Sequence, residues 1–142
     1  MMRIAIVNGP NLNLLGKREP HIYGSLSFEA YFEELSAAFP DHQLTYFQSN
    51  HEGELIDFIQ KAGFEFQGIV LNPGGYSHTS IALADAVSAV PAPVVEVHIS
   101  NIFSREAFRA HSYISAVSIG VMSGFGLHGY QMAIGHLLHL AK

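Results

Sequence analysis

The sequence predicts an α/β protein with an open parallel sheet of five strands and helices on both faces. Short apolar segments alternate with helical segments along the chain, which is typical of repeated βα units. The apolar segments lack strict alternation of polar and apolar residues, as expected of strands covered on both faces. Five such units in 142 residues suit a flavodoxin-like open sheet better than a closed barrel. We therefore expect residues 1–142 to form a single domain.

Apolar runs and local stop signals place the individual elements. The predicted strands cover residues 3–7, 43–48, 68–71, 94–97 and 116–122. The predicted helices cover residues 25–39, 51–62, 78–90, 106–111 and 130–141. Ser25 or Ser27 is the expected cap of the first helix, while Pro40 and Gly63 are expected to end the first and the second. Because ligands bind at the carboxyl ends of the strands in such sheets, the segments that follow the strands are the candidate site.

Composition excludes several classes of function. With a net charge of −5 and only 7 Lys and Arg residues, the chain lacks the basic face that a nucleic-acid partner requires. The absence of cysteine excludes disulfides, thiol catalysis and thiolate metal sites. No uninterrupted apolar run approaches the ~18 residues of a membrane span, and the apolar start is too short for a signal peptide. We expect a soluble, cytoplasmic protein without a membrane partner.

The segment NGPNLNLLGKREPHIYG, residues 8–24, follows the first predicted strand and has neither helical nor strand periodicity. A loop of this length inside a compact domain is commonly an active-site lid. It carries Arg18 and Tyr23, and a tyrosine acts as a base at neutral pH only where nearby positive charge favours the phenolate. Arg18 could supply that charge. Taken alone, the pair is equally compatible with a packed aromatic ring and a solvated arginine.

Glu96 and His98 stand two residues apart in the fourth predicted strand, so their side chains should point to the same face. A carboxylate beside an imidazole fixes its tautomer and favours the protonated ring, which suits a histidine that donates a proton. Two polar residues at a strand end, without a catalytic role, are the alternative that this spacing leaves open.

Positive charge is scarce and concentrated near the strand ends. Three of the four arginines, Arg18, Arg105 and Arg109, follow predicted strands. Arg105 and Arg109 are four residues apart and would share one face of a helical turn. Ser100 or Asn101 could cap that turn and leave N–H groups for an anion. In an acidic protein this pattern indicates an anionic small-molecule substrate, with a solvated helix face as the alternative.

The sequence motifs of cofactor and metal sites are incomplete or absent in this chain. Residues 124–129, GFGLHG, match GxGxxG, but the chain ends without a further strand to carry the ribose-binding acid. The chain has no P-loop ending, HExxH motif or GxSxG elbow, and its 9 histidines lack metal-ligand spacing. We therefore expect no cofactor and no metal. A flavodoxin-like module that binds a flavin or phosphorylated ligand is the alternative to an enzyme, and a receiver domain fits less well because Asn72 stands in place of an aspartate.

Several motifs, in order along nearly the whole chain, resemble those of one enzyme family. NGPNLN at residues 8–13 and LGKREPHIYG at residues 15–24 resemble the N-terminal signature of the type II 3-dehydroquinate dehydratases, and LNPGGYSHTS at residues 71–80 resembles a second signature. The resemblance implies a flavodoxin-like lyase of the shikimate pathway, which serves aromatic amino-acid biosynthesis. It would convert 3-dehydroquinate to 3-dehydroshikimate by cofactor-free anti elimination through an enolate. The resemblance also implies a homo-dodecamer built from trimers.

The same resemblance implies roles for individual residues. Tyr23 would be the base, with its phenolate stabilised by Arg18 and, as a second candidate, Arg105. His98 would be the acid, oriented by Glu96. The other residues implied at the site are Asn11, which would hold a water against the enolate, and the substrate-binding residues Asn72, His78, Ile99, Ser100, Arg105 and Arg109.

Asp85 is implied to reach the active site of a neighbouring subunit. It follows His78 by seven residues, so within the predicted helix 78–90 the two side chains would share a face. The loop from Gly16 to Gly24 is implied to close over the substrate and exclude water.

Overall fold

The computed structural model describes residues 1–142 and contains one parallel sheet of five strands. The strands are β1 (Arg3–Asn8), β2 (Gln43–Gln48), β3 (Gly68–Asn72), β4 (Val94–His98) and β5 (Gly120–Ser123). Their order across the sheet is β2-β1-β3-β4-β5, and every neighbouring pair is parallel. This flavodoxin-like order confirms the predicted fold class, and it reverses direction between β1 and β3, where a crevice forms outside the strand ends.

Helices cover both faces of the sheet. They are α1 (Pro20–Tyr23), α2 (Phe28–Ala38), α3 (Glu52–Glu65), α4 (Ile81–Ala89) and α5 (His128–Leu140). Successive strand residues point to opposite faces, so Ile4 and Ile6 pack with α2 and α5 while Ala5 and Val7 pack with α3 and α4. None of the helices combines the length and the apolar character that crossing a membrane requires.

Gly63 does not end the second predicted helix, contrary to expectation. The helix, α3, continues to Glu65, and Gly63 is buried where α3 approaches Val90. A Cβ at Gly63 would lie 2.2 Å from the Val90 Cβ. The glycine therefore serves close packing of α3 against the end of α4, not helix termination.

The predicted helix over residues 78–90 begins too early. Gly74–His78 forms a 3₁₀ turn, and α4 starts only at Ile81. Ser80 caps α4, because its hydroxyl accepts a hydrogen bond from the Leu83 N–H at 2.9 Å. His78 and Asp85 consequently do not share a helix face, and the spacing argument that linked them is wrong.

β5 is shorter than the predicted strand over residues 116–122. Ser115–Val117 forms a 3₁₀ turn instead, and β5 starts after it. The hydroxyls of Ser112 and Ser115 donate hydrogen bonds to the buried Glu96 carboxylate at 2.8 and 2.5 Å. These contacts draw the segment into turns against the end of β4, so fewer residues remain to extend the strand.

The long loop after β1 is more regular than its sequence suggests. It contains a 3₁₀ turn at Leu12–Leu14 as well as α1. Asn11 and Glu19 adopt left-handed φ angles of 70° and 43°, which non-glycine residues keep only where the surroundings hold them. Gly9 packs so closely on the turn after β3 that a Cβ would lie 2.4 Å from the Pro73 carbonyl oxygen. The start of the loop is thereby fastened to the neighbouring strand connection.

Candidate active site

A cavity of about 140 Å³ opens at the carboxyl ends of β1, β3 and β4. Its position at the reversal of strand order is where ligands bind in open α/β sheets. Ten of the twelve residues predicted for the site border this cavity: Asn11, Arg18, Tyr23, Asn72, His78, His98, Ile99, Ser100, Arg105 and Arg109. Glu96 lies behind His98, and Asp85 lies elsewhere on the surface.

The Tyr23 hydroxyl lies in a positively charged corner of the cavity. Arg105 Nη1 donates hydrogen bonds to Tyr23 Oη at 2.9 Å and to Ser100 Oγ at 3.2 Å. Arg18 Cζ lies 5.4 Å from the centroid of the Tyr23 ring. Both arginines place positive charge beside Tyr23, and Arg105 makes the direct contact with the oxygen. Glu19 Oε2 offsets part of this charge, at 3.8 Å from Arg18 and 4.0 Å from Arg105.

The two arginines that follow β4 do not share a helix, contrary to the expectation from their spacing. Arg105 lies between two 3₁₀ turns, Ile102–Ser104 and Ala107–Ala110, and the second replaces the predicted helix 106–111. Arg109 is part of that second turn. Both arginines nevertheless border the cavity, so the predicted cluster of positive charge is present although its predicted backbone is wrong.

His98 and Glu96 form a buried pair at the end of β4. His98 Nε2 is hydrogen-bonded to Glu96 Oε2, and the Glu96 side chain is fully buried. Because Nε2 is occupied by the carboxylate, Nδ1 is the ring nitrogen left for a ligand. The hydrogen bond with Glu96 fixes the orientation of the His98 ring at the cavity.

Burial alone would raise the pKa of Glu96, yet its partners overcome that effect. The hydrogen bond and positive charge of His98, together with hydrogen bonds from Ser115 and Ser112, hold the Glu96 pKa below its usual value of 4.5. The carboxylate is therefore ionised at neutral pH. Its three neighbours satisfy both oxygens, which fixes the carboxylate against the His98 ring.

His78 presents an acceptor nitrogen to the cavity. Its Nδ1 lies 2.6 Å from the His111 carbonyl oxygen, which can only accept, so Nδ1 carries a hydrogen and, in the neutral ring, Nε2 carries none. Burial lowers the pKa of His78, the charges of His98 and Arg109 lower it further, and the His111 carbonyl and Glu96 only partly oppose this. A neutral His78 can accept a hydrogen bond from a ligand hydroxyl.

Asn72 and Asn11 border the cavity, and hydrogen bonds hold the side chain of the first and the backbone of the second. Asn72 Oδ1 accepts a hydrogen bond from the Gly74 N–H at 3.1 Å, and Asn72 Nδ2 donates to the Tyr130 hydroxyl at 2.9 Å. The backbone N–H of Asn11 donates to Asn50 Oδ1 at 2.9 Å, which holds the left-handed turn at this residue. The Asn72 side chain is thus held by partners at both of its polar atoms, whereas at Asn11 the hydrogen bond holds the backbone.

The family model described as dehydroquinase class II matches residues 2–138 of the chain. The chain belongs to the class II dehydroquinase family. A 3-dehydroquinate dehydratase from an Exiguobacterium species is 55% identical over 138 residues, which cover 96% of this enzyme and 94% of that relative. The crystal structure of the type II dehydroquinase from Butyrivibrio crossotus matches with a TM-score of 0.91 at 45% identity, covering 96% of this chain and 97% of its own. That from Propionibacterium acnes gives 0.94 at 38% identity, with 98% and 97% covered.

Asp85 is the one predicted site residue that neither borders the cavity nor contacts a residue that does. It lies exposed on α4 and contributes nothing to the cavity wall within its own chain. A place for Asp85 in catalysis therefore requires a second subunit.

The enzyme also uses supporting residues that sequence reasoning missed. Four of them contact predicted site residues from outside the cavity: Asn50, Ser112, Ser115 and Tyr130. The fifth, Asn8, accepts a hydrogen bond from the Tyr130 hydroxyl. Asn50 follows β2, so the rule that polar residues cluster at strand ends could have found it. Nothing local marks Tyr130, which lies within the apolar part of α5 and meets Asn8 across 122 positions of sequence.

Proposed function

We propose that this type II 3-dehydroquinate dehydratase works by anti elimination through an enolate, without a cofactor, using Tyr23 as base and His98 as acid. The observation that carries the proposal is the pairing of each group at one cavity: the phenol with Arg105 and the imidazole with Glu96. The product, 3-dehydroshikimate, belongs to the shikimate pathway of aromatic biosynthesis.

In the first step the Tyr23 phenolate removes the proton alpha to the ketone, and the electron pair of that C–H bond becomes an enolate. Arg105 stabilises the phenolate through a hydrogen bond, and Arg18 adds a second positive charge near the ring. Asn11 holds a water that donates to the enolate oxygen, and such a donor is worth roughly 3 kcal/mol in the transition state.

In the second step the enolate collapses, the carbon–carbon double bond forms and the hydroxyl departs as water. His98 supplies the proton to that hydroxyl from Nδ1, while Glu96 stabilises the doubly protonated ring beforehand. The histidine then has to regain a proton before the next turnover.

The remaining cavity residues hold the substrate. The Arg109 guanidinium and the amides of Ile99 and Ser100 suit the carboxylate, Asn72 suits a carboxylate or hydroxyl oxygen, and the acceptor nitrogen of His78 suits a hydroxyl. The loop between Gly16 and Gly24 closes over the site, since both glycines have positive φ, 90° and 85°, and can absorb a change of backbone angle.

An alternative route to the same product would pass through a lysine Schiff base, and the enzyme offers no suitable amine. Its three lysines, Lys17, Lys61 and Lys142, are exposed, and none borders the cavity. Borohydride added together with substrate is therefore expected to leave activity unchanged after dialysis. Loss of activity with a covalent adduct detected by mass spectrometry would contradict the tyrosine mechanism.

Replacing Glu96 with glutamine is expected to lower kcat about 10- to 100-fold with little change in KM, because the doubly protonated His98 loses its negative partner. A kcat equal to that of the wild type would show that Glu96 does not support the acid.

The same variant tests the ionisation of Glu96. Because its folded pKa lies below 4.5, the stability from the ionised group is present above that pH and is lost as the pH falls through the folded value. The free energy of unfolding of wild type should therefore exceed that of Glu96→Gln at neutral pH, and the difference should shrink in acid. A difference independent of pH would contradict the account.

We further propose that the enzyme assembles as a homo-dodecamer built from four trimers, and that Asp85 completes the site of a neighbouring subunit. Apolar side chains that a monomer would leave exposed lie on and near the open edge strand β5, and Ile81 lies exposed one helical turn from Asp85 on α4. The exposed residues on and near β5 are Phe103, Ile119, Val121 and Phe125. Patches of this kind mark subunit contacts.

Mixing two inactive variants tests the role of Asp85. Co-expressed Asp85→Asn and Tyr23→Phe subunits are expected to recover activity, because about a quarter of the sites in random hybrids would combine an intact Tyr23 with an intact neighbouring Asp85. Each variant alone is the control. No recovery in hybrids of confirmed mixed composition, or a monomer in light scattering, would contradict the proposed assembly.

A further inference from the structure

A directed chain of hydrogen bonds runs from the turn after β3 into the core beneath the cavity. The Gly74 N–H donates to Asn72 Oδ1 at 3.1 Å, and Asn72 Nδ2 donates to Tyr130 Oη at 2.9 Å. The Tyr130 hydroxyl donates in turn to Asn8 Oδ1 at 2.8 Å. Asn8 and Asn72 are partners in the register of β1 and β3, so Tyr130 of α5 joins the ends of the two strands that flank the reversal.

The first member fixes the direction of the whole chain. A backbone N–H can only donate, so Asn72 must turn Oδ1 to Gly74 and its amide nitrogen to Tyr130. Tyr130 accepts that hydrogen bond and gives its only hydroxyl proton to Asn8. The amide nitrogen of Asn72 carries two hydrogens, and Tyr130 takes one of them. The other is left for an acceptor in the cavity that Asn72 borders.

Tyr130 is suited to hold the Asn72 amide and is not suited to transfer a proton. Its side chain is completely buried, and its ring packs against Phe28 at 5.0 Å between centroids. Burial raises the pKa of Tyr130 strongly, and the hydrogen bonds with Asn72 and Asn8 counter this only in part. The hydroxyl therefore remains protonated, and Tyr130 neither borders the cavity nor competes with Tyr23 as a base.

We propose that Tyr130 is a positioning residue for substrate binding, which acts through Asn72 by holding its amide nitrogen toward the acceptor oxygens of the substrate. The proposal rests on the proposed role of Asn72 in holding the substrate. Without the hydroxyl, Asn72 keeps only its contact with Gly74, and a buried amide nitrogen loses its partner. The amide then gains freedom to turn, so the cavity loses a donor of fixed orientation.

Tyr130→Phe removes one oxygen and keeps the ring. We expect KM for 3-dehydroquinate to rise about tenfold with a much smaller change in kcat, because a contact made equally to substrate and transition state affects binding alone. Tyr31→Phe is the matched control. Tyr31 is a buried neighbour of Tyr130 at 6.2 Å between ring centroids, and its hydroxyl donates to the Leu127 carbonyl at 2.8 Å without contacting Asn72. The control should lose comparable stability and keep the wild-type KM.

A double variant separates positioning from general destabilisation. Asn72→Ala should raise KM by itself, and adding Tyr130→Phe should raise it no further, because Tyr130 acts only through Asn72. Asn8→Ala, which removes the acceptor of the Tyr130 hydroxyl, should raise KM less than Tyr130→Phe. It provides a second test of the chain if Tyr130→Phe folds poorly.

Four outcomes would overturn the inference. Equal effects of Tyr31→Phe and Tyr130→Phe on KM, or independent effects of Asn72→Ala and Tyr130→Phe, would leave Tyr130 with a purely structural role. A rise in KM for Asn72→Ala without one for Tyr130→Phe would refute the positioning role alone. An unchanged KM for Asn72→Ala would refute both this inference and the proposed role of Asn72 in binding.

Discussion

Replacing Tyr23 with phenylalanine is expected to lower kcat about 10²- to 10⁴-fold, the range that a positioned base contributes. The variant keeps the ring beside Arg18 and loses only the oxygen that Arg105 contacts. KM should change little, because the hydroxyl takes part in proton transfer and not in holding the substrate. Turnover is followed through the ultraviolet band of the conjugated product.

Tyr76→Phe is the control for this substitution. Tyr76 also loses one hydrogen bond, from its hydroxyl to the Asn50 carbonyl at 3.0 Å, but it does not border the cavity. Its kcat should remain close to that of the wild type. Normal turnover by Tyr23→Phe would remove Tyr23 from the role of base.

Replacing His98 with glutamine is expected to lower kcat by a similar factor, about 10²- to 10⁴-fold, because the amide cannot give up a proton to the departing hydroxyl. Glutamine is chosen because its amide nitrogen can take the place of His98 Nε2 beside Glu96, so the ionised carboxylate keeps a partner. His98→Ala would leave that buried charge exposed to a cavity and would confuse loss of catalysis with loss of stability.

Unfolding curves and KM serve as controls for His98→Gln. Both should stay near the wild-type values if the substitution removes only the proton donor. A variant that unfolds at a much lower temperature would point to a structural role, and one that turns over normally would exclude His98 as the acid.

Much of the fold could be predicted because its signals are local. Strands β1, β3 and β4 appear as short, mainly apolar runs, and their carboxyl ends carry the polar residues that meet at the cavity. Ser27 caps α2 as one of two candidates, and Asn101 caps the turn after β4 by accepting from the Phe103 N–H at 3.1 Å. Glu96 and His98 pair as the alternation of side chains along a strand requires.

The predictions from sequence are wrong or incomplete where contacts with distant residues determine the local structure. Ser112 and Ser115 form turns because Glu96 needs partners, and no pattern within residues 112–119 reveals that need. Gly63 lies inside a helix, where Val90 occupies the space that a side chain would need, and the sequence around Gly63 does not reveal this contact. Tyr130 supports Asn72 from another helix, in a sequence that indicates only an apolar face. The sequence predicts that Arg105 and Arg109 lie close together, but it does not predict the 3₁₀ turns that carry them.

The most direct test of Tyr23 as base and His98 as acid is hydrogen exchange at the carbon alpha to the ketone. 3-Dehydroquinate is incubated in D₂O with His98→Gln, with Tyr23→Phe or without enzyme, and the loss of the alpha proton signal is followed by NMR. The mechanism predicts that His98→Gln exchanges this proton faster than it eliminates water, since the enolate forms and returns, while Tyr23→Phe gives no exchange above the enzyme-free rate. Exchange catalysed by Tyr23→Phe, or elimination by His98→Gln at the wild-type rate, would contradict it.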